Sequence, residues 1–446
     1  MNRKIDAKGS LVIEGKRINR LCLRSLLLKN NYIRGMNQSG FGKKVLLGTR
    51  NMKYLDKIFW FCLIFLTSLK LFYALSRPLF ESGPDANGYM PAALGFADRG
   101  LFAKDIPGLP IYPAFYPMFM SLAVKISLVH WVQIVQVLQI LLVSIGILSI
   151  RGILKRISYN SFANFVAILL VLSPAWFVAS GEAMYESLLF FLASTSLYFL
   201  VKYQFDRKYF FIVLSSLFNF LALATHPRIV CVYILALYFI ILKSDNNVRA
   251  RTKDFLLSLT VSGLGVFLFM SLTYIRSGVF SLSTALYPSL TLNKVFTQCS
   301  DLSCLVERVI QSPTNFIIEF FSNIIEFWSP HSGDLMRGTW FHNISLLQFL
   351  ENYGFASLST FLGFATTILI FSSWIYGSVN LSKYISVNYA RFFIFSSLTF
   401  MLTDGIVYGD NRHRLIALVF MTPSYAAAIT RVFSYKKFES VLKRFS

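Results

Sequence analysis

Ten stretches of this 446-residue chain are apolar over close to the roughly 20 residues needed to cross the hydrocarbon of a bilayer. They run from Ile58 to Leu75, Trp131 to Ile150, Phe162 to Val178, Glu186 to Lys202, Tyr209 to Ala224, Ile229 to Lys243, Phe255 to Tyr274, Ala356 to Tyr376, Phe392 to Tyr408 and Leu415 to Arg431. In hydrocarbon the backbone finds no water, and these runs lack the strict alternation of barrel strands. The expected class is therefore all-α, a polytopic membrane protein with about ten transmembrane helices. Composition agrees: 55% of residues are hydrophobic, 45 are Phe and only 14% are charged, more apolar surface than a water-soluble globule can cover. The lipid bilayer is thus a partner of the fold.

A formal charge of +22 invites a nucleic-acid reading, but the basic residues sit between every second pair of apolar runs. Charge here reports orientation, and no nucleic-acid partner is implied. With the N-terminus inside, the inward segments 1–57, 151–160, 202–208, 243–254, 379–391 and 431–446 hold 31 of the 43 Lys and Arg. Residues 1–57 then form a basic cytoplasmic arm, residues 58–446 a transmembrane domain, and both termini face the cytoplasm. This requires that the stretch from Pro113 to Leu128, interrupted by Pro117 and Lys125, does not cross; a re-entrant or surface-lying helix suits it. No cleavable signal peptide is visible before Ile58, and Met1, Met36 and Met52 are each candidate starts.

Two sizeable outer loops result, about 76–130 and 275–354. Within the second, residues 313–330 put Asn315, Glu319, Ser322, Asn323, Glu326 and Ser329 on one helical stripe with aromatic and aliphatic residues on the rest. Such a helix lies on the outer leaflet or docks on the protein's own outer face. Cys299 and Cys304 fall in the same loop, as a local disulfide or as two free thiols; Cys62 and Cys231 read as small apolar residues within spans.

Ionisable groups gather on the outer side. Asp85, in Glu81-Ser82-Gly83-Pro84-Asp85, lies about ten residues past the first span, ahead of a turn-like Ala86-Asn87-Gly88. A carboxylate there can take a proton from a hydroxyl nucleophile or help hold a divalent cation, with Glu81 sharing either task, or it is an ordinary solvated loop acid. Glu186, and Glu182 one turn earlier, stand where a helix enters the membrane from the same side, as functional acids or as water-exposed complements to the helix N-terminus. Thr225-His226-Pro227-Arg228 and Asp410-Asn411-Arg412-His413-Arg414 break the positive-inside trend. Arg228, Arg412 and Arg414 offer planar forks suited to phosphate, whether that of a substrate or of outer-leaflet phospholipid.

In order and sidedness these residues resemble the membrane glycosyltransferases of the GT-C superfamily. The nearest groups are the family 39-like enzymes, the protein O-mannosyltransferases and the lipopolysaccharide-sugar transferases that use polyprenyl-phosphate sugars. The likeness runs from Asp85 and Tyr89 through Tyr112-Pro113 and Tyr116-Pro117, Glu186-Ser187-Leu188, His226-Pro227-Arg228 and Phe327-Trp328-Ser329-Pro330 to Gly409-Asp410-Asn411-Arg412-His413-Arg414. It covers nearly the whole chain. Three positions depart from the family's pattern: Ala86 stands where a second acid is frequent, His226 where an Arg precedes the Pro, and His413 where a Tyr is common.

The resemblance implies transfer of a sugar from a polyprenyl-phosphate donor to an acceptor hydroxyl on the non-cytoplasmic face, with inversion at the anomeric carbon. Asp85 would be the base and Glu186 its support; Arg412, Arg414, Arg228 and His413 would hold the donor phosphate. Glu81, Tyr89, Glu182 and His226 are supporting candidates. The resemblance fixes no cofactor; a divalent cation such as Mg²⁺, Mn²⁺ or Zn²⁺ on Asp85 and Glu186 is the candidate. The acceptor, whether glycan, lipid or protein, is not encoded in any motif. The implied location is a bacterial inner membrane, active face outward. A secondary transporter is the rival class and predicts ionisable residues near mid-membrane rather than at helix ends; a non-catalytic subunit of a glycan assembly or export complex would tolerate loss of Asp85.

Overall fold

The computed structural model describes residues 4–5, 11–13, 16–18, 49–76, 86–104, 106, 113–158, 160–173, 180, 183–227, 229–242, 248–282, 310–314, 317, 358–407 and 414–433. They fall into two units, Met1–Tyr54 and Leu55–Ser446.

The first unit departs from the all-α expectation. Strands β1 (Lys4–Ile5), β2 (Leu11–Ile13) and β3 (Lys16–Ile18) pair antiparallel in that order, with Lys4 opposite Val12 and Val12 opposite Arg17. Only Glu14 and Gly15 separate β2 from β3, a Gly-bearing pair of hairpin length. Strands of two and three residues leave too short a periodicity to read in advance.

The rest is helical. In chain order the helices are α1 (Thr49–Ser76), α2 (Ala86–Arg99), α3 (Phe115–Ile126), α4 (Trp131–Ile157), α5 (Asn160–Val171), α6 (Tyr185–Asp206), α7 (Tyr209–Thr225), α8 (Ile229–Ala236), α9 (Val248–Ser277), α10 (Leu358–Asn380), α11 (Val387–Val407) and α12 (Arg414–Phe433). A π-helical turn, Leu237–Leu242, prolongs α8. Each of the ten apolar runs has described residues on one of these helices. Among the described residues four segments, Tyr54–Ser76, Trp131–Ile157, Tyr185–Asp206 and Arg249–Ser277, are long and apolar enough to cross a membrane. The chain is a multi-pass helical membrane protein. α3 has only 12 residues, about 18 Å of helix, short of the roughly 30 Å of a hydrocarbon core.

Helix directions follow from polar contacts inside the bundle. α4 and α6 run parallel: Gln139 donates to the Met184 carbonyl, Ser149 and Thr195 hydroxyls meet at 3.4 Å, and Arg156 donates to Asp206 at 3.4 Å. α7 returns antiparallel to α6, joined by Ser196 and Ser215, each hydroxyl donating to the other's carbonyl at 2.8 Å. α9 runs with α7, through Ser216 and Ser258 at 2.8 Å and Asn219 donating to Ser262 at 3.4 Å. Where lipid is as apolar as leucine, hydrogen bonds and close packing rather than hydrophobic burial choose helix neighbours. Gly146 supplies such an approach on α4, because a Cβ there would come 2.8 Å from the Phe190 ring of α6.

Opposite ends of this bundle are chemically unlike. At one, Asp56 of α1 accepts from Arg151 and from Lys155 of α4 (3.3 Å) and from Asn164 of α5 (3.4 Å). Arg151 also donates to Asn164 at 2.8 Å and lies 4.3 Å over the Phe59 ring.

Candidate active site

The other end gathers the N-termini of α2, α3 and α6 and the C-terminus of α7. α2 starts at the residue after Asp85, so Ala86-Asn87-Gly88 is the first turn of a helix and not the turn expected from its composition. Pro91 fits because the bond it cannot make is to the Asn87 carbonyl, within that first turn. One turn in, the Tyr89 ring meets Tyr116 of α3 edge-on at 5.1 Å and Tyr185 of α6 at 6.3 Å. Tyr116 and Tyr185 are 6.4 Å apart, and Tyr185 stacks on His226, the C-cap of α7, at 5.0 Å with 16° between planes. Four elements therefore bring four rings to one place, each pair worth about 0.5–1.5 kcal/mol beyond the area it buries.

Glu186 follows Tyr185 in the first turn of α6 and is 1% exposed. The unbonded N–H groups of a helix start favour a negative charge there. Its position is fixed from behind: Met184, the extended N-cap, accepts a hydrogen bond from Gln139, which is fully buried on α4. Burial corrects the alternative that Glu186 is a water-exposed helix-end acid. A carboxylate so held can receive a proton or share a cation, and its surroundings exclude bulk water.

The structure thus unites three of the sequence candidates, Tyr89, Glu186 and His226. Asp85, Glu81, Glu182, Arg228, Arg412 and His413 lie outside the described residues, as do Cys299, Cys304 and most of 313–330; Arg414 opens α12. Among the described residues no three His, Cys, Asp or Glu side chains are grouped to hold a metal ion. Glu186 is one carboxylate ligand, and one is too few for a hard cation by itself. The roles of Tyr185 and Gln139 were missed. Tyr185 had a signal, an aromatic directly before the acid at a helix start, whereas Gln139 reads as one polar residue in an apolar run.

No family model matches the chain, and no curated protein matches it. Among solved structures it is similar to the archaeal oligosaccharyltransferase AglB from Archaeoglobus fulgidus in complex with an inhibitory peptide and a dolichol-phosphate, at 14% identity and a TM-score of 0.49, over 87% of this chain and 52% of that one. It is also similar to the apo form of the Archaeoglobus fulgidus oligosaccharyltransferase, at 14% identity and a TM-score of 0.50, over 86% of this chain and 52% of that one. This chain spans about half the length of each. The likeness to the apo form is one of fold.

Proposed function

We propose that the chain is a membrane glycosyltransferase of about ten spans that moves a sugar from a polyprenyl-phosphate donor to an acceptor hydroxyl on the non-cytoplasmic face. The observation that carries this reading is the convergence of Tyr89, Tyr116, Tyr185, His226 and buried Glu186 at one end of the bundle, with α2 beginning directly after Asp85. The fold likeness to the apo form of an oligosaccharyltransferase supports the transferase class.

In the proposed step the acceptor oxygen attacks the anomeric carbon while the bond from that carbon to the phosphate oxygen breaks. The electron pair leaves with the phosphate, and the acceptor proton passes to Asp85. A phosphate is a stable leaving anion, so the site needs a base on the acceptor side and cations on the donor side, with no strong acid. Attack opposite the leaving group inverts the anomeric centre. Glu186 supports Asp85 or shares a cation with it; Arg412, Arg414, Arg228 and His413 hold the phosphate, with Glu81, Glu182, Tyr89 and His226 around them. The long isoprenoid stays in lipid while its head group reaches the water-facing end of the bundle.

The test is to incubate purified protein with candidate polyprenyl-phosphate sugars and acceptors, comparing wild type with Asp85→Asn. Wild type should release polyprenyl phosphate only when acceptor is present, and the variant should fall by about 10²–10⁴-fold. Equal turnover by the variant removes Asp85 from its role. Sidedness is tested by single cysteines at Asn87 and Asn160: an impermeant reagent applied outside should label only the first.

A further inference from the structure

Arg276 lies in the last turn of α9, at the same end of the bundle as the four rings. It is 2% exposed and heads the fully buried side chains by size. Its guanidinium carbon sits 5.1 Å from the centre of the Phe96 ring on α2, two turns beyond Tyr89. Phe96 is in turn enclosed by Ala92, Ile106, Ala114, Ala224 and Phe269, so the contact is shut off from the lipid. The ring contact engages the cation's charge but accepts none of its five N–H donors in a conventional hydrogen bond. None of Nε, Nη1 and Nη2 has a hydrogen-bond partner among the described residues, and the ion pairs found among those residues do not include Arg276.

A guanidinium stays charged at any working pH, so it cannot relieve burial by giving up a proton as a lysine would. A buried cation without an acceptor is among the costliest features a fold can carry, and it is tolerated where an anion completes it. The matching ligand is planar-fork compatible: two oxygens of a phosphate accept two parallel N–H bonds. Burial and the cation–π contact hold the side chain in place beforehand, so little ordering remains for the ligand to impose.

We propose that Arg276 is an anion-binding residue that takes a phosphate group between α2 and α9. That the ligand is an anion with two acceptor oxygens follows from the buried, unpartnered fork of Arg276; that it is the phosphate of a polyprenyl lipid rests on the proposed function.

The experiment uses full-length protein in detergent with two probes, farnesyl phosphate and inorganic phosphate, and reads both affinity and thermal unfolding. Wild type should bind farnesyl phosphate and gain in Tm with it. Arg276→Met should fold, match or exceed the ligand-free Tm of wild type because an uncompensated charge has been removed, and lose about 10- to 100-fold in affinity. Arg276→Lys should fall between, as a point charge without a fork. Asp85→Asn should keep full affinity for the lipid phosphate while losing transfer. Unchanged affinity in Arg276→Met overturns the assignment, and so does a lowered ligand-free Tm with the phosphate-induced rise intact, which is the signature of a purely structural arginine. Arg276-dependent binding of inorganic phosphate without binding of farnesyl phosphate upholds the anion site and overturns the polyprenyl donor. Binding of neither probe by wild type overturns both.

Discussion

Arg151 and Arg276 are both buried arginines stacked on a phenylalanine, and they stand at opposite ends of the same bundle. Arg151 is closed: Asp56 and Asn164 accept from it, Lys155 joins the same carboxylate, and Phe59 covers one face. Arg276 has the ring and, among the described residues, no acceptor. A satisfied cluster linking three helices holds a fold together. A buried cation with a ring beside it and no acceptor among the described residues is the basis of the anion site proposed for Arg276.

The contrast can be broken by substitution, and the largest effect should fall on chemistry. Glu186→Gln keeps the shape of the side chain and removes the charge, so transfer should drop by about 100-fold at nearly unchanged Tm, read as polyprenyl phosphate released per folded protein. An equal loss of Tm would make Glu186 a packing residue. At the closed end the order reverses. Arg151→Met should lower stability by about 2 kcal/mol, because Asp56 and Asn164 lose a charged hydrogen-bonding partner, while turnover of the remaining folded protein stays at the wild-type level. Asp56 is partly exposed, which keeps this below the cost of breaking a fully buried pair.

Smaller effects sharpen the comparison. Tyr185→Leu removes stacking with His226 and edge contacts with Tyr89 and Tyr116; about 1 kcal/mol of stability should be lost, together with a larger relative loss in transfer. Between the two ends, Ser216→Ala deletes a bond to Ser258 within the α7–α9 contact and should cost about 0.6 kcal/mol, with no effect on turnover.

Most of the helical scaffold was legible, because apolar runs of membrane-spanning length leave the backbone one solution. α2 was not, since Ala86-Asn87-Gly88 has the local composition of a turn, whereas the helix it opens packs on α3 through Tyr89 and Tyr116, far apart in sequence. The strands near the N-terminus were too short to announce themselves. Glu186 was found because an acid at a helix entrance is conspicuous, but its burial depends on neighbours far apart in sequence, as Gln139 and Met184 illustrate. Arg276 carries no sequence signal, lying two residues past the apolar run that ends at Tyr274; its burial involves Phe96 of α2, distant in sequence.

Which end of the bundle meets the lipid phosphate is the question on which the account turns, and photolabelling answers it without requiring turnover. A polyprenyl phosphate carrying a diazirine next to its phosphate should, after irradiation and peptide mapping, label peptides containing Ala86–Arg99, Phe115–Ile126 and the start of α6, competed away by unlabelled polyprenyl phosphate. Competable labelling confined to the peptides of Asp56, Arg151 and Asn164, with the Tyr89, Tyr116 and Tyr185 peptides unmodified, would contradict it.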